Sequence, residues 1–147
     1  MKKVLVATAI LLFLGSQSAE AATMVTVVNS KKISTKNGVV TLKVANLPVN
    51  NGIYISQCMA MKDGEVTPPA CNPAATSKLW ISDVPADIKM GAKSSKGKLT
   101  LKVDKYFEKG DCIHTKCILF VTNDHNASTD RSEDQAIAFK FSGINLF

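Results

Sequence analysis

The sequence predicts an all-β fold, a seven-stranded immunoglobulin-like antiparallel β-sandwich. Three observations predict it. Apolar and polar residues alternate with period two over several short runs, the pattern of strands with one face in a core and one in water. Turn-forming residues separate these runs: Asn37-Gly38, Asn50-Asn51-Gly52, Asp63-Gly64, Pro68-Pro69, Lys96-Gly97 and Lys109-Gly110. No segment carries a helical apolar repeat of useful length.

The first strand covers residues 23–28. In the second, Val40, Leu42 and Val44 alternate with Thr41, Lys43 and Ala45. The third covers 52–59 and the fourth 78–81, where Trp80 reads as a core residue. The fifth alternates most cleanly: Leu99, Leu101 and Val103 face a core, while Lys98, Thr100 and Lys102 face water. The sixth covers 117–122, and in the seventh Ile137, Phe139 and Phe141 alternate with Ala136, Ala138 and Lys140. Seven short strands with regular turns suggest an immunoglobulin-like sandwich. The antibody pattern itself is not met. Trp80 lies far along the chain from Cys58, and the position two before Cys117 is Thr115 where such domains place a tyrosine.

The N-terminus predicts export. Lys2 and Lys3 precede an apolar run over residues 4–14 broken only by Thr8, and Ala19-Glu20-Ala21 is a small-x-small cleavage site. Residues 1–21 read as a secretory signal peptide and 22–147 as one secreted domain. The apolar run is shorter than the roughly 20 residues a membrane span needs. No second such run follows, so no membrane insertion is expected. Cleavage takes the formal charge from +6 to +5.

In an oxidising compartment Cys58, Cys71, Cys112 and Cys117 read as two disulfides. A zinc site is the competitor, because four residues separate Cys112 from Cys117. It is disfavoured because Cys58 and Cys71 are widely spaced and only His114 and His125 could assist, so no metal or other cofactor is expected. Four cysteines allow three pairings. The local ones, Cys58–Cys71 and Cys112–Cys117, are preferred, with Cys58–Cys117 as the antibody-like alternative. Closing a loop the size of Cys58–Cys71 is worth roughly 3 kcal/mol in the chain-entropy view.

Several motifs occur together in order: Gly38-Val39-Val40, Ser56-Gln57-Cys58, Ala70-Cys71-Asn72-Pro73-Ala74, Tyr106-Phe107-Glu108, Asp111-Cys112-x4-Cys117 and Ala136-Ile137-Ala138-Phe139. In this the chain resembles the neocarzinostatin family, secreted apoproteins that carry enediyne antibiotic chromophores. The resemblance implies a seven-stranded immunoglobulin-like sandwich and favours the two local disulfides. It also implies a cleft for an apolar aromatic ligand, with Cys58–Cys71 at its floor. Tyr54, Ser56, Cys58 and Ala60 share one face of their strand, and Ile118, Phe120 and Thr122 share one face of theirs. With Cys71, and with Phe107 on the connection between sheets, these are the candidate cleft residues. Met59 and Met61 nearby could add adaptable contacts.

The chain departs from the family pattern at several of these places. Ala60 and Thr76 stand where the carriers often place aromatics, Ile118 where they have Gln, and Phe120 where they have a small Gly. Phe120 therefore either plugs the cleft or stacks on its ligand. The segment between Phe107 and Cys112 is about ten residues shorter than in the family, which implies a lost flanking hairpin.

The leading function is a secreted, non-catalytic, monomeric carrier of an apolar aromatic molecule. No metalloprotease His pair or nucleophile elbow is present, and a disulfide-bonded cysteine is no nucleophile. The alternative is an extracellular or cell-surface immunoglobulin-like interaction module with a degenerate cleft. Its support is the run Lys89, Lys93, Lys96, Lys98, Lys102, Lys105 and Lys109, which would attract polyanions. Arg131 is the sole arginine and aromatics do not alternate regularly with the lysines, so direct sequence-specific nucleic-acid binding is not expected; the family's link with DNA belongs to its chromophore. Asp124, Asn126, Ser128 and Asp130 alternate as calcium ligands do, but Thr129 and Gln135 stand where an EF-hand needs Gly and Glu. Asn126-Ala127-Ser128 is a glycosylation sequon.

Overall fold

The structure is a computed structural model and describes residues 21–30 and 33–143. The segment expected to be a signal peptide, residues 1–21, lies outside the described residues except for Ala21. In chain order the strands are β1 Met24–Val27, β2 Val39–Ala45, β3 Ile53–Met59, β4 Lys78–Ile81, β5 Leu99–Lys102, β6 Tyr106–Phe107, β7 Gly110–Asp111, β8 Cys117–Asn123 and β9 Gln135–Ala138. One short helix, α1, spans Pro85–Lys89. Two sheets form the sandwich: a three-stranded sheet in the order β1-β2-β5 and a four-stranded sheet in the order β4-β3-β8-β9. All their strand pairings are antiparallel.

The seven strands of these sheets are those the alternation predicts, with two additions and one marked shortening. The additions are β6 and β7, a minimal ribbon pairing Tyr106 with Asp111 and Phe107 with Gly110. The shortened segment thus keeps a hairpin, reduced to its tightest form. The last strand ends at Ala138, although Phe139 and Phe141 stay buried with their rings edge to face. Helix α1 is too short to show a periodic signal; Pro85 sits in its first turn, where a missing N–H costs nothing.

The core between the sheets follows the strand parity. Val25, Val27, Val40, Leu42, Leu99 and Leu101 point inward from the first sheet, against Ile53, Ile55, Ile81, Leu119 and Val121 from the second. Both disulfides are local, Cys58–Cys71 and Cys112–Cys117. Cys112 and Cys117 extend the inter-sheet core. Cys58 lies on the opposite face of the four-stranded sheet, in a separate apolar cluster.

One inward position of β3 is polar. Gln57 is fully buried. Its Nε2 donates to the Asp104 carbonyl (2.6 Å), and its Oε1 accepts from the Asp104 N–H (2.9 Å) and from Asn72 Nδ2 (2.8 Å). The Asn72 N–H also donates to the Gln57 carbonyl (2.8 Å). Full satisfaction is what allows an amide in a core. The network holds Asn72, and with it Cys71, against the end of β3.

Candidate functional site

Strand register assembles the outer face of the four-stranded sheet. Tyr54 lies opposite Thr122, Ser56 opposite Phe120, and Cys58 opposite Ile118. Strand β9 adds Ala136 beside Phe120 and Ala138 beside Ile118, while β4 adds Trp80 beside Tyr54 and Lys78 beside Ser56. Directly paired residues project to the same side of a sheet, so two strands distant in sequence present one surface.

The middle of this face is not solvated as the outer face of an antiparallel sheet ordinarily is, although Lys78, Ala136 and Ala138 at its margins are exposed. Cys58 is 0% exposed, Ile118 6% and Phe120 8%, with Ala60 and Met61 packed on them. The cover is held by the Cys58–Cys71 disulfide and by a hydrogen bond from the Met59 N–H to the Ala70 carbonyl (2.8 Å). Two grooves flank the cluster. One, of about 320 Å³, lies between Ala60, Ile118, Ala138, Phe139 and the Cys112–Cys117 disulfide, with exposed Lys116 and Lys140 beside it. The other, of about 450 Å³, runs between Met61, Val66, Phe120 and Ala136 and is bounded by Arg131 and Asp134.

The Tyr54 end of the face is polar and aromatic. The Tyr54 hydroxyl is 2.8 Å from His125 Nδ1, and Lys78 Nζ sits 4.1 Å from the Tyr54 ring centre, a cation–π distance. The Trp80 and His125 rings meet edge to face at 5.0 Å. Burial raises the Tyr54 hydroxyl pKa above its ordinary value, and the charges of Asp124 and Asp87 push it the same way. Asp124 is itself fully buried, accepting from the Gly52 N–H (2.9 Å), Trp80 Nε1 (3.0 Å) and the Asn126 N–H (2.9 Å). Gly52 is required there: a Cβ would come within 2.3 Å of the Ile81 carbonyl oxygen and 3.0 Å of Asp124 Oδ2. The loop that alternates like a calcium site is therefore organised by Asp124 as the cap of a 3-10 turn, His125–Ala127. Among the described residues, no three His, Cys, Asp or Glu side chains gather to hold a metal.

Searches of protein-family models and of curated proteins find no match. Among solved structures, the chain is similar to macromomycin. The TM-score is 0.52 at 21% identity, over 82% of this chain and all of that one. At such an identity the likeness is one of fold.

The sandwich brings seven of the predicted cleft residues onto one face: Tyr54, Ser56, Cys58, Ala60, Ile118, Phe120 and Thr122. Cys71 joins them through its disulfide but is exposed. Phe107 is placed elsewhere, half-buried against the inter-sheet core. Its ring lies over Gly110, where a Cβ would come within 2.0 Å of it, so the ribbon turns it away from Tyr54 and Phe120. Trp80, expected in the core, belongs to the outer face, because Leu79 and Ile81 take the inward positions of β4. Sequence reasoning missed the Trp80–His125–Asp124 corner, whose members become neighbours only through the β3–β4 and β3–β8 pairings. His114 lies apart, 2.8 Å from Asp111, whose carboxyl that hydrogen bond holds below the usual range.

Proposed function

We propose that this chain is a secreted, non-catalytic binding protein for a small apolar aromatic molecule, built on the neocarzinostatin plan. One observation carries the reading. Strand β8 is buried on both faces, although only one of them packs against the second sheet. A sheet that keeps an apolar outer surface under a disulfide-held loop, with apolar grooves beside it, has the composition of a small-molecule site. Ala60, Ile118 and Phe120 are the proposed ligand contacts, with Tyr54, Ser56 and Thr122 at the polar end and Cys58–Cys71 behind. The fold likeness to macromomycin supports a carrier-like binding protein at the level of the fold. The motif resemblance to the neocarzinostatin family supports the same reading from the sequence. Export and release after Ala21 are part of the proposal, supported by the signal-peptide pattern and the two disulfides.

The test is native mass spectrometry of the protein recovered from the medium of its own host. A co-purifying apolar aromatic compound, released by organic solvent, is the expected result. A ligand-free protein whose Ala60, Ile118 and Phe120 NMR signals ignore a library of planar aromatics would overturn the reading. The burial of Phe120 favours one second reading, an extracellular interaction module whose cleft its own side chain has filled; that negative outcome would support it.

A further inference from the structure

The start of the domain meets an unexpected group. Thr23, immediately before β1, is only 4% exposed. Its N–H donates to Glu133 Oε2 (3.0 Å), its hydroxyl donates to the Asn46 carbonyl (2.9 Å), and its carbonyl accepts from Gln135 Nε2 (2.8 Å). Two stretches distant in sequence, one at Asn46 and one at Glu133 and Gln135, thus converge on one residue beside the predicted cleavage point.

Glu133 is 9% exposed. Among the described residues its Oε1 accepts no hydrogen bond, and no Lys, Arg or His forms an ion pair with it. Arg131, the nearest cation along the chain, is taken by Asp134. A carboxylate so little exposed gains from a counter-charge beside it. Beside it lies a cavity of about 340 Å³ lined by Ala21 and Ala22 together with Asn46, Asn51, Asn123, Asp130 and Glu133. Its side chains offer two carboxylates and several amide oxygens, and its chemistry suits a primary ammonium, which has three donors and no acceptor.

We propose that this is the docking site for the α-ammonium group of Ala22. Cleavage after Ala21 creates that group one residue before Thr23, whose own N–H already rests on Glu133. In the uncleaved chain Ala22 carries a neutral amide with a single N–H, and the buried carboxylate has no counter-charge from this segment. Processing therefore completes the site: the new ammonium pairs with Glu133, with Asp130 as the second negative charge. This locks the N-terminal segment onto the loop that precedes β9. The inference rests on the signal-peptide reading and is independent of what the outer face binds.

The experiment uses the folded chain beginning at Ala22, its Nα-acetylated form, and Glu133→Gln. Glu133 and Asp130 would raise the Ala22 ammonium from an ordinary α-amino pKa near 7.7–8.0 by about one unit. A pKa raised by folding adds stability that is full below the unfolded value and is lost as pH rises through the folded value. The urea midpoint should accordingly fall between about pH 8 and pH 9 in the free-amine protein. It should be lower and flat over that range in the acetylated form. Glu133→Gln should remove most of that rise and bring the amine pKa back towards its ordinary value, with Asp130 supplying the remainder, read from the pH dependence of its acylation. If Glu133→Gln does not fold, the acetylated protein, with every side chain intact, decides the matter. An ordinary amine pKa in the folded protein, equal urea midpoints with and without acetylation, or an exported protein that begins elsewhere than Ala22 would each overturn the proposal.

Discussion

Replacing Phe120 with alanine separates a plugged cleft from an open one. The ring is 8% exposed and packs with Cys58, Ile118, Ala60 and Met61. An aromatic side chain buries roughly 150–250 Å², and at about 25 cal/mol per Å² this is roughly 4–6 kcal/mol. Two features reduce the loss. The Cβ remains, and Ala60 and Met61, which are only half-buried, can settle into part of the space. The expected destabilisation is about 3 kcal/mol, the lower end for Phe→Ala in a core. A domain with roughly 5–15 kcal/mol of stability survives this. The vacated volume joins the groove of about 450 Å³ that Phe120 borders, so planar aromatics should bind the variant better than the wild type. Urea unfolding followed by the fluorescence of the single tryptophan, Trp80, measures the first quantity. Repeating it with an aromatic probe at about 100 times its dissociation constant should restore about 2.7 kcal/mol. A loss below about 1 kcal/mol would show that Phe120 is no plug, because burial of this kind always costs more. A full loss with no restoration by any planar probe, and no NMR shift at Ala60 or Ile118, would refute the face as a ligand site.

Other consequences are equally direct. Gln57→Leu keeps the volume but strips partners from buried Asn72 and half-buried Asp104; with unsatisfied groups costing about 1–3 kcal/mol each and water rescuing Asp104, the loss should be about 3 kcal/mol by denaturant titration. Gly52→Ala places a Cβ 2.3 Å from the Ile81 carbonyl oxygen and should cost about 1–3 kcal/mol, with a shift in Trp80 emission because Asp124 is displaced from the indole N–H. At Asp83, burial pushes the carboxyl up, but hydrogen bonds from Ser95 and Ser94 outweigh it and hold the pKa below its ordinary value. Its contribution to stability is thus present above the unfolded value and lost as pH falls through the folded one, and Ser95→Ala should raise the midpoint of its carboxyl NMR titration.

Seven sandwich strands and the identity of most inward residues were legible in the chain because each depends on local chemistry, whereas the disulfide pairing was a preference among three that the family resemblance favoured and the fold decided. Alternation along a strand fixes which side chains share a face, whatever the partner strand is. The unbroken apolar run Cys117-Ile118-Leu119-Phe120-Val121 fits a strand buried on both faces, a signal that the search for period-two alternation passes over. Gln57 and Asn72 were visible as motif residues, but their mutual hydrogen bond was not, since nothing in either motif names its partner. Trp80 and Phe107 show the same limit. Trp80 reads as core by composition, yet the parity of β4, set by Leu79 and Ile81, turns it outward. Phe107 sits beside Cys112 in sequence, and the tight ribbon with Gly110 decides that it packs inward. By itself the sequence determined the fold class, because binary pattern and turn chemistry are properties of neighbours along the chain. Only the tertiary structure decided which residues meet across the outer face, and that Glu133 waits beside Thr23. Contacts between segments a hundred residues apart arise from register and sheet packing, and no local propensity encodes them.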